Sequence, residues 1–167
     1  MSDATTETIP DFSLAASTGQ TLALDSFRGK VPMVIVFLEG LGQDRDLLEA
    51  LNARLADFGS ERSQILAVAK VTALEARDFV DAEGSAMPIL ADASGAMFRD
   101  YGAENEVGEL RRLGVVATAE GELVRRFDPL PIDGAAEGLL NCIRAEGSGA
   151  LEGSADRRYT QTPEEGY

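Results

Sequence analysis

Histidine is absent from all 167 residues, cysteine occurs once, at Cys142, and there is no tryptophan. Without histidine, Ser-His-Asp and Cys-His arrangements are excluded, and the commonest transition-metal ligand is missing. One cysteine cannot close a disulfide within the chain, so no dithiol cycle can run inside it. Basic charge is scarce as well: 15 lysines and arginines face 29 carboxylates, a net charge of −14. Such a field repels nucleic-acid phosphates and anionic lipid headgroups, so neither is an expected partner. Lysine itself is reduced to Lys30 and Lys70. Biased coding towards arginine, alanine and glycine accounts for this, and so does adaptation to high salt, where a carboxylate-rich surface stays hydrated. Long apolar runs are missing too. Val31 to Leu38 falls well short of the roughly 20 residues a membrane-spanning helix needs. Met1 to Pro10 carries no lysine or arginine and leads into no greasy stretch, unlike a secretory signal. The expectation is a soluble, cytoplasmic protein without membrane insertion. The carboxylates are scattered, without the spacing of a calcium loop, so no metal site and no cofactor are expected.

What is present suits one α/β domain over residues 1–145, with 44% apolar residues enough for a single core. Phe12 to Leu14 and Thr21 to Leu24 alternate around Ser17-Thr18-Gly19-Gln20, which predicts an N-terminal hairpin. Val31 to Leu38 is β-branched without alternation, the pattern of a central strand buried on both faces. After the loop Glu39-Gly40-Leu41-Gly42-Gln43, Leu47, Leu48, Leu51, Leu55 and Phe58 mark one face of a helix over 44–58. A strand at 65–69, a helix at 72–82, a short strand at 88–91 and a short helix at 95–101 follow. A second hairpin pairs 113–117 with 122–127, and a last helix runs from about 133 to 145. The strand-helix-strand unit forces a parallel crossover and the second hairpin adds antiparallel strands, so the sheet is mixed. Residues 146–167 are polar and aperiodic, and read as a tail.

Four stretches carry a resemblance. Ile9-Pro10-Asp11-Phe12-Ser13-Leu14 with Gly19-Gln20 and Leu22-Ala23-Leu24 forms the first. Phe27-Arg28-Gly29-Lys30 running into Val34-Ile35-Val36-Phe37 forms the second. Met87-Pro88-Ile89-Leu90-Ala91-Asp92 through Tyr101-Gly102 is the third, and Arg112 to Gly121 the fourth. In this order they resemble the alkyl-hydroperoxide-reductase and thiol-specific-antioxidant family of peroxiredoxins, over about residues 9–145. The resemblance implies a thioredoxin-like three-layer fold: a central mixed sheet, an N-terminal hairpin extension and flanking helices.

The resemblance also implies a peroxide-reducing cysteine in the first helical turn after the strand ending near Phe37, where the helix N-terminus favours the thiolate. Counted back from the helix face, that position is Asp44. Counted forward as a Cys-x-x-Cys loop, it spans Gln43-Asp44-Arg45-Asp46. Neither register holds sulfur, and the proline and threonine of the family signature are gone. A carboxylate has no sulfur to oxidise to sulfenic acid, so the expectation is a degenerate site at Gln43, Asp44, Asp46 and Arg112 with no catalytic residue. Asp44 reads first as an ordinary helix N-cap. Arg112 matches the family arginine that steadies the thiolate and the peroxide; here it is either paired with Asp44 or Asp46 or solvated beside Arg111. Cys142, among Leu139, Leu140 and Ile143, reads as a core residue.

Three function classes remain. The leading one is a catalytically degenerate family member serving as a binding or structural subunit, with a protein partner or self-association. The tail would supply a docking strap at Arg157, Arg158, Tyr159 and Tyr167, residue types that anchor interfaces. The rival is a thiol-dependent antioxidant or oxidoreductase using Cys142 or a partner's thiol. A carboxylate hydrolase built on Glu39, Asp44 and Asp46 lacks a positioned electrophilic partner. Gly40-Leu41-Gly42 is too little for a phosphate loop, with Glu39 and Asp44 beside it to repel an anion.

Overall fold

The structure is a computed structural model that describes residues 7–151. Five strands form the central sheet: β3 (Met33–Phe37), β4 (Gln64–Ala69), β5 (Ile89–Ala91), β6 (Leu113–Ala117) and β7 (Leu123–Phe127), in the order β5-β4-β3-β6-β7. β3, β4 and β5 run parallel, while β6 is antiparallel to both β3 and β7. The predicted hairpin is β1 (Ser13–Ala15) against β2 (Thr21–Ala23), with Gly19 at φ 91° in its turn, a conformation other residues rarely adopt. The helices are α1 (Arg45–Ala53), α2 (Leu55–Ser60), α3 (Ala73–Glu83), α4 (Ala96–Tyr101) and α5 (Ala135–Leu151).

Alternation along β3 sorts the core into two. Val34 and Val36 join Leu47, Leu48 and Leu51 of α1, Phe58 of α2, Ala76 of α3 and Leu139, Leu140 and Ile143 of α5. Met33, Ile35 and Phe37 face the other way, onto Ile9, Phe12, Leu24 and the α4 residues Met97, Phe98 and Tyr101. Every residue of β3 is therefore buried, which is why its sequence shows no polar alternation. The result is the expected three-layer α/β fold. The three α1 leucines are buried, each worth about 2 kcal/mol, and this burial rather than helix propensity holds the short helix in place.

The N-terminal segment seals both sheet edges in part. Ala16 bridges to Leu90, and Ser17 exchanges bonds with Ile89: its N–H reaches the Ile89 carbonyl at 2.8 Å, and its Oγ accepts the Ile89 N–H at 3.0 Å. At the opposite edge Thr8 bridges to Glu122, and the Leu123 N–H reaches the Glu7 carbonyl at 2.6 Å. Paired edge groups are no longer free to template another strand.

Two element boundaries differ from the sequence expectation. The helix over 44–58 breaks at Arg54, whose backbone (φ −109°, ψ 12°) leaves the helix between α1 and α2. The Arg54 side chain ties the break to Asp57 at 2.6 Å and to Glu137 of α5 at 2.7 Å. The last helix continues to Leu151, past the expected end at 145. Extending a helix already packed on the core costs little per residue, so even a glycine- and serine-containing stretch follows. Arg157, Arg158, Tyr159 and Tyr167 lie outside the described residues.

Candidate functional site

β3 ends at Phe37, and Phe37 is registered opposite Leu113 in β6. That register sets Arg112, the residue just before β6, against the loop that leaves β3. Arg112 is held there by a reciprocal pair of bonds. Its Nε donates to the Leu130 carbonyl at 2.7 Å, and the Leu130 N–H returns to the Arg112 carbonyl at 2.8 Å. With Nε so anchored, Nη1 points to two carboxylates, Asp44 Oδ1 at 3.1 Å and Glu39 Oε1 at 3.2 Å.

Asp44 has no exposed side-chain surface, whereas Glu39 keeps 40% of its own. Burying a charge is tolerated only where its lone pairs are matched, and Asp44 meets that condition. Its second oxygen, Oδ2, accepts the backbone N–H of Glu39 at 2.6 Å and of Gly40 at 3.3 Å. The loop closes further through the Asp44 N–H, which reaches the Gly40 carbonyl at 3.0 Å. A Cβ at Gly40 would meet only the far end of the exposed Gln43 side chain, which would have to swing aside.

The expectation of a simple N-cap is thus corrected. Asp44 sits at the N-cap position of α1, but its side chain caps none of the helix N–H groups. It turns back into the preceding loop, because the two loop donors and a guanidinium outbid the α1 N–H groups, which can be hydrated. The ion pair anticipated between Arg112 and Asp44 is present, and the solvated reading of Arg112 is not. Asp46 and Gln43, the other two positions singled out, are exposed. Asp46 lies in the first turn of α1, where its charge complements the helix dipole. Arg111 pairs separately with Asp128, at 2.9 Å.

Cys142 departs from the expected core position: it is half-buried, packed against the edge of the α1–α5 core. Two residues on, Arg144 pairs with Glu61, which lies beyond the end of α2, at 3.0 Å. Asp44 precedes the opposite end of that helical pair, and α1 alone is about 13 Å long. The thiol and the Asp44 pocket therefore belong to different ends of the helical layer.

Leu130 and Asn52 were not found from sequence. Leu130 acts through its backbone, which leaves no trace in residue type. Asn52 of α1 accepts the N–H of Ala86 at 3.0 Å and of Met87 at 3.2 Å, and donates to Ser85 Oγ at 3.0 Å. It fastens α1 to the segment entering β5. Next to it, a cavity of about 330 Å³ opens between α1 and α3, lined among others by Leu48, Phe79 and the ion pair of Arg45 and Glu83, 3.2 Å apart. Among the described residues no group of three or more histidine, cysteine, aspartate and glutamate side chains could hold a metal ion. At Asp44 and Glu39 the arginine takes the place a cation would fill. No described helix is long and apolar enough to cross a membrane.

Burial pushes the Tyr101 phenol well above its ordinary range, and the charges of Asp11 and Asp100 add to the shift. Its hydroxyl donates to the Pro10 carbonyl at 2.6 Å, fastening the N-terminal segment to α4.

No curated protein matches the chain in sequence. Solved structures do match in shape. Peroxidoxin BcpB from Mycobacterium tuberculosis superposes with a TM-score of 0.75 at 19% identity, over 84% of this chain and 96% of its own. Peroxiredoxin Q from Xanthomonas campestris gives 0.75 at 23% identity, over 81% and 91%. AhpC from Enterococcus faecalis gives 0.78 at 18% identity, over 92% and 98%. At such identities the likeness carries the fold alone. The family model described as AhpC/TSA family matches residues 5–125, from the N-terminal segment into β7 and across the whole Asp44 loop. This chain, with its single cysteine, belongs to the AhpC/TSA family of peroxiredoxins.

Proposed function

We propose that this chain is a degenerate peroxiredoxin that does not reduce peroxide by itself and serves as a binding or structural subunit of a larger assembly. The observation that carries this reading is the Asp44 carboxylate, buried and ion-paired with Arg112 where the family resemblance calls for a thiol. Peroxide reduction needs a sulfur lone pair to take an oxygen from the O–O bond, and a carboxylate offers none. Arg112, which would steady thiolate and peroxide in a working site, is here committed to Asp44 and Glu39. A charge cluster whose buried member, Asp44, has both oxygens bonded and performs no chemistry keeps the loop in one shape, which suits a protein retained for its surface. The tail residues Arg157, Arg158, Tyr159 and Tyr167 are the proposed docking strap, folding onto a protein partner or a second copy.

A second reading is favoured by the half-buried state of Cys142: a thiol-dependent oxidoreductase using that residue or a partner's thiol. One assay separates them. Purified protein is mixed with hydrogen peroxide, and peroxide loss and Cys142 oxidation are followed together. The first reading expects loss at the buffer rate. Rapid consumption that disappears in Cys142→Ser would replace it with the second. For the binding role, deletion of residues 150–167 should remove the co-purifying partner of a tagged copy expressed in its native cells. Unchanged recovery would discard the strap.

A further inference from the structure

The Asp44 pocket has the donor set of an anion receptor. The Glu39 N–H and Gly40 N–H converge on one oxygen, and Arg112 Nη1 approaches the other. These donors lie in the loop that leaves β3 and just before β6, and the Phe37–Leu113 register of the central sheet brings the two segments together. Arg112 is oriented independently of any anion by its Nε bond to the Leu130 carbonyl. We propose that Glu39 N, Gly40 N and Arg112 Nη1 form a preorganised anion cradle whose resident ligand is the chain's own Asp44 carboxylate, and that the cradle takes a small monocarboxylate once that side chain is removed.

The chemistry selects the ligand class. Two oxygens on one planar carbon satisfy two separated donor groups, which a single-centre halide cannot bridge. Glu39 shares Arg112 Nη1 and leaves a negative charge beside the site, so a dianion such as sulfate is opposed. The pocket is also enclosed, because the resident carboxylate has no exposed surface. In the native protein it is therefore self-occupied, and external anions are shut out by a contact built into the fold. The inference deepens the proposed function, since it rests on Asp44 standing in the thiol's place. Its readout is binding and not peroxide loss, so either can fail without the other.

The test is rescue. Asp44→Ala deletes the carboxylate and leaves a vacancy the size of formate. This variant is expected to melt below the wild type and to regain at least half of the lost melting temperature in sodium formate. The recovery should saturate, with half-saturation no tighter than about 1 mM, the ceiling for a ligand of three heavy atoms. Sodium chloride and sodium sulfate at matched ionic strength should not reproduce it, and the wild type should respond to formate only as it does to chloride. Adding Arg112→Met to the Asp44→Ala variant should abolish the formate response. Formate acting no better than chloride would overturn the proposal, and so would a response that survives Arg112→Met. If Asp44→Ala does not fold unaided, refolding yields in formate and in chloride are compared, and equal yields overturn it as well.

Discussion

Replacing Arg112 by methionine keeps most of the aliphatic volume and withdraws the guanidinium from three acceptors. Asp44 Oδ1, Glu39 Oε1 and the Leu130 carbonyl each lose their donor. Glu39 is 40% exposed, and water replaces its bond at little cost. Asp44 has no such recourse, and its charge is left with two backbone donors alone. Breaking a buried ion pair from one side costs roughly 3–5 kcal/mol. Because Arg112 retains 19% exposure, the lower end applies, about 3 kcal/mol. For a chain of this length each kcal/mol moves the melting temperature by about 2–4 °C, so a fall of roughly 6–12 °C is expected by circular dichroism. Adding Asp44→Asn to Arg112→Met removes the stranded charge yet keeps an acceptor for the Glu39 and Gly40 N–H groups. The double variant should therefore recover about 1–2 kcal/mol relative to Arg112→Met alone. An Arg112→Met protein melting within about 2 °C of the wild type, or a double variant no better than the single, would refute the buried-pair reasoning.

Three further outcomes are expected. The raised Tyr101 pKa implies a stability contribution that is complete below the ordinary value of 10.0 and is lost as pH climbs above it, because the unfolded phenol ionises first. Urea titrations should show Tyr101→Phe losing less stability than the wild type between neutral pH and pH values above 10.0, while costing about 1 kcal/mol at neutral pH for the lost bond to Pro10. Asn52→Ala leaves the Met87 N–H without its partner and returns the exposed Ala86 N–H to water, and should cost about 1–2 kcal/mol, with faster hydrogen exchange at both amides as the site-specific check. A side chain at Gly114 of β6 would meet Leu130 at 3.2 Å and Leu139 at 3.4 Å. Gly114→Val should then cost about 1–3 kcal/mol by overpacking, measured by urea denaturation with an unchanged m-value.

The second-layer helices were less legible than the strands. The leucine spacing at 47, 48 and 51 predicts α1, but it carries no sign that the helix will break at Arg54. At the break the Arg54 side chain pairs with Glu137, more than 80 residues away in sequence, a partner no local pattern announces. Cys142 was misjudged for a similar reason. Its neighbours Leu139, Leu140 and Ile143 are buried, but a helix turns 100° per residue, and only the packed position of α5 decides which flank of the apolar face stays partly exposed. The sealing of both sheet edges by residues 7–9 and 16–17 also has no local signature, since backbone pairing uses groups every residue possesses.

What the sequence by itself determined is the chemistry that is closed to this chain: no histidine, no internal disulfide, and no sulfur in the loop after the first central strand. Those are matters of inventory, and folding cannot supply an atom the chain lacks. It also determined the order of elements, because periods of 2 and 3.6 residues are local properties of the backbone. Which of Gln43, Asp44 and Asp46 would enter the pocket was decided only by the tertiary structure. All three sit within one turn, and their separation in sequence does not distinguish them. The β3–β6 register brings Arg112 to the loop, the loop turns two N–H groups inward, and Asp44 alone is placed to meet all three donors. A buried charge needs every one of those partners at once, and they come together only when the sheet has formed.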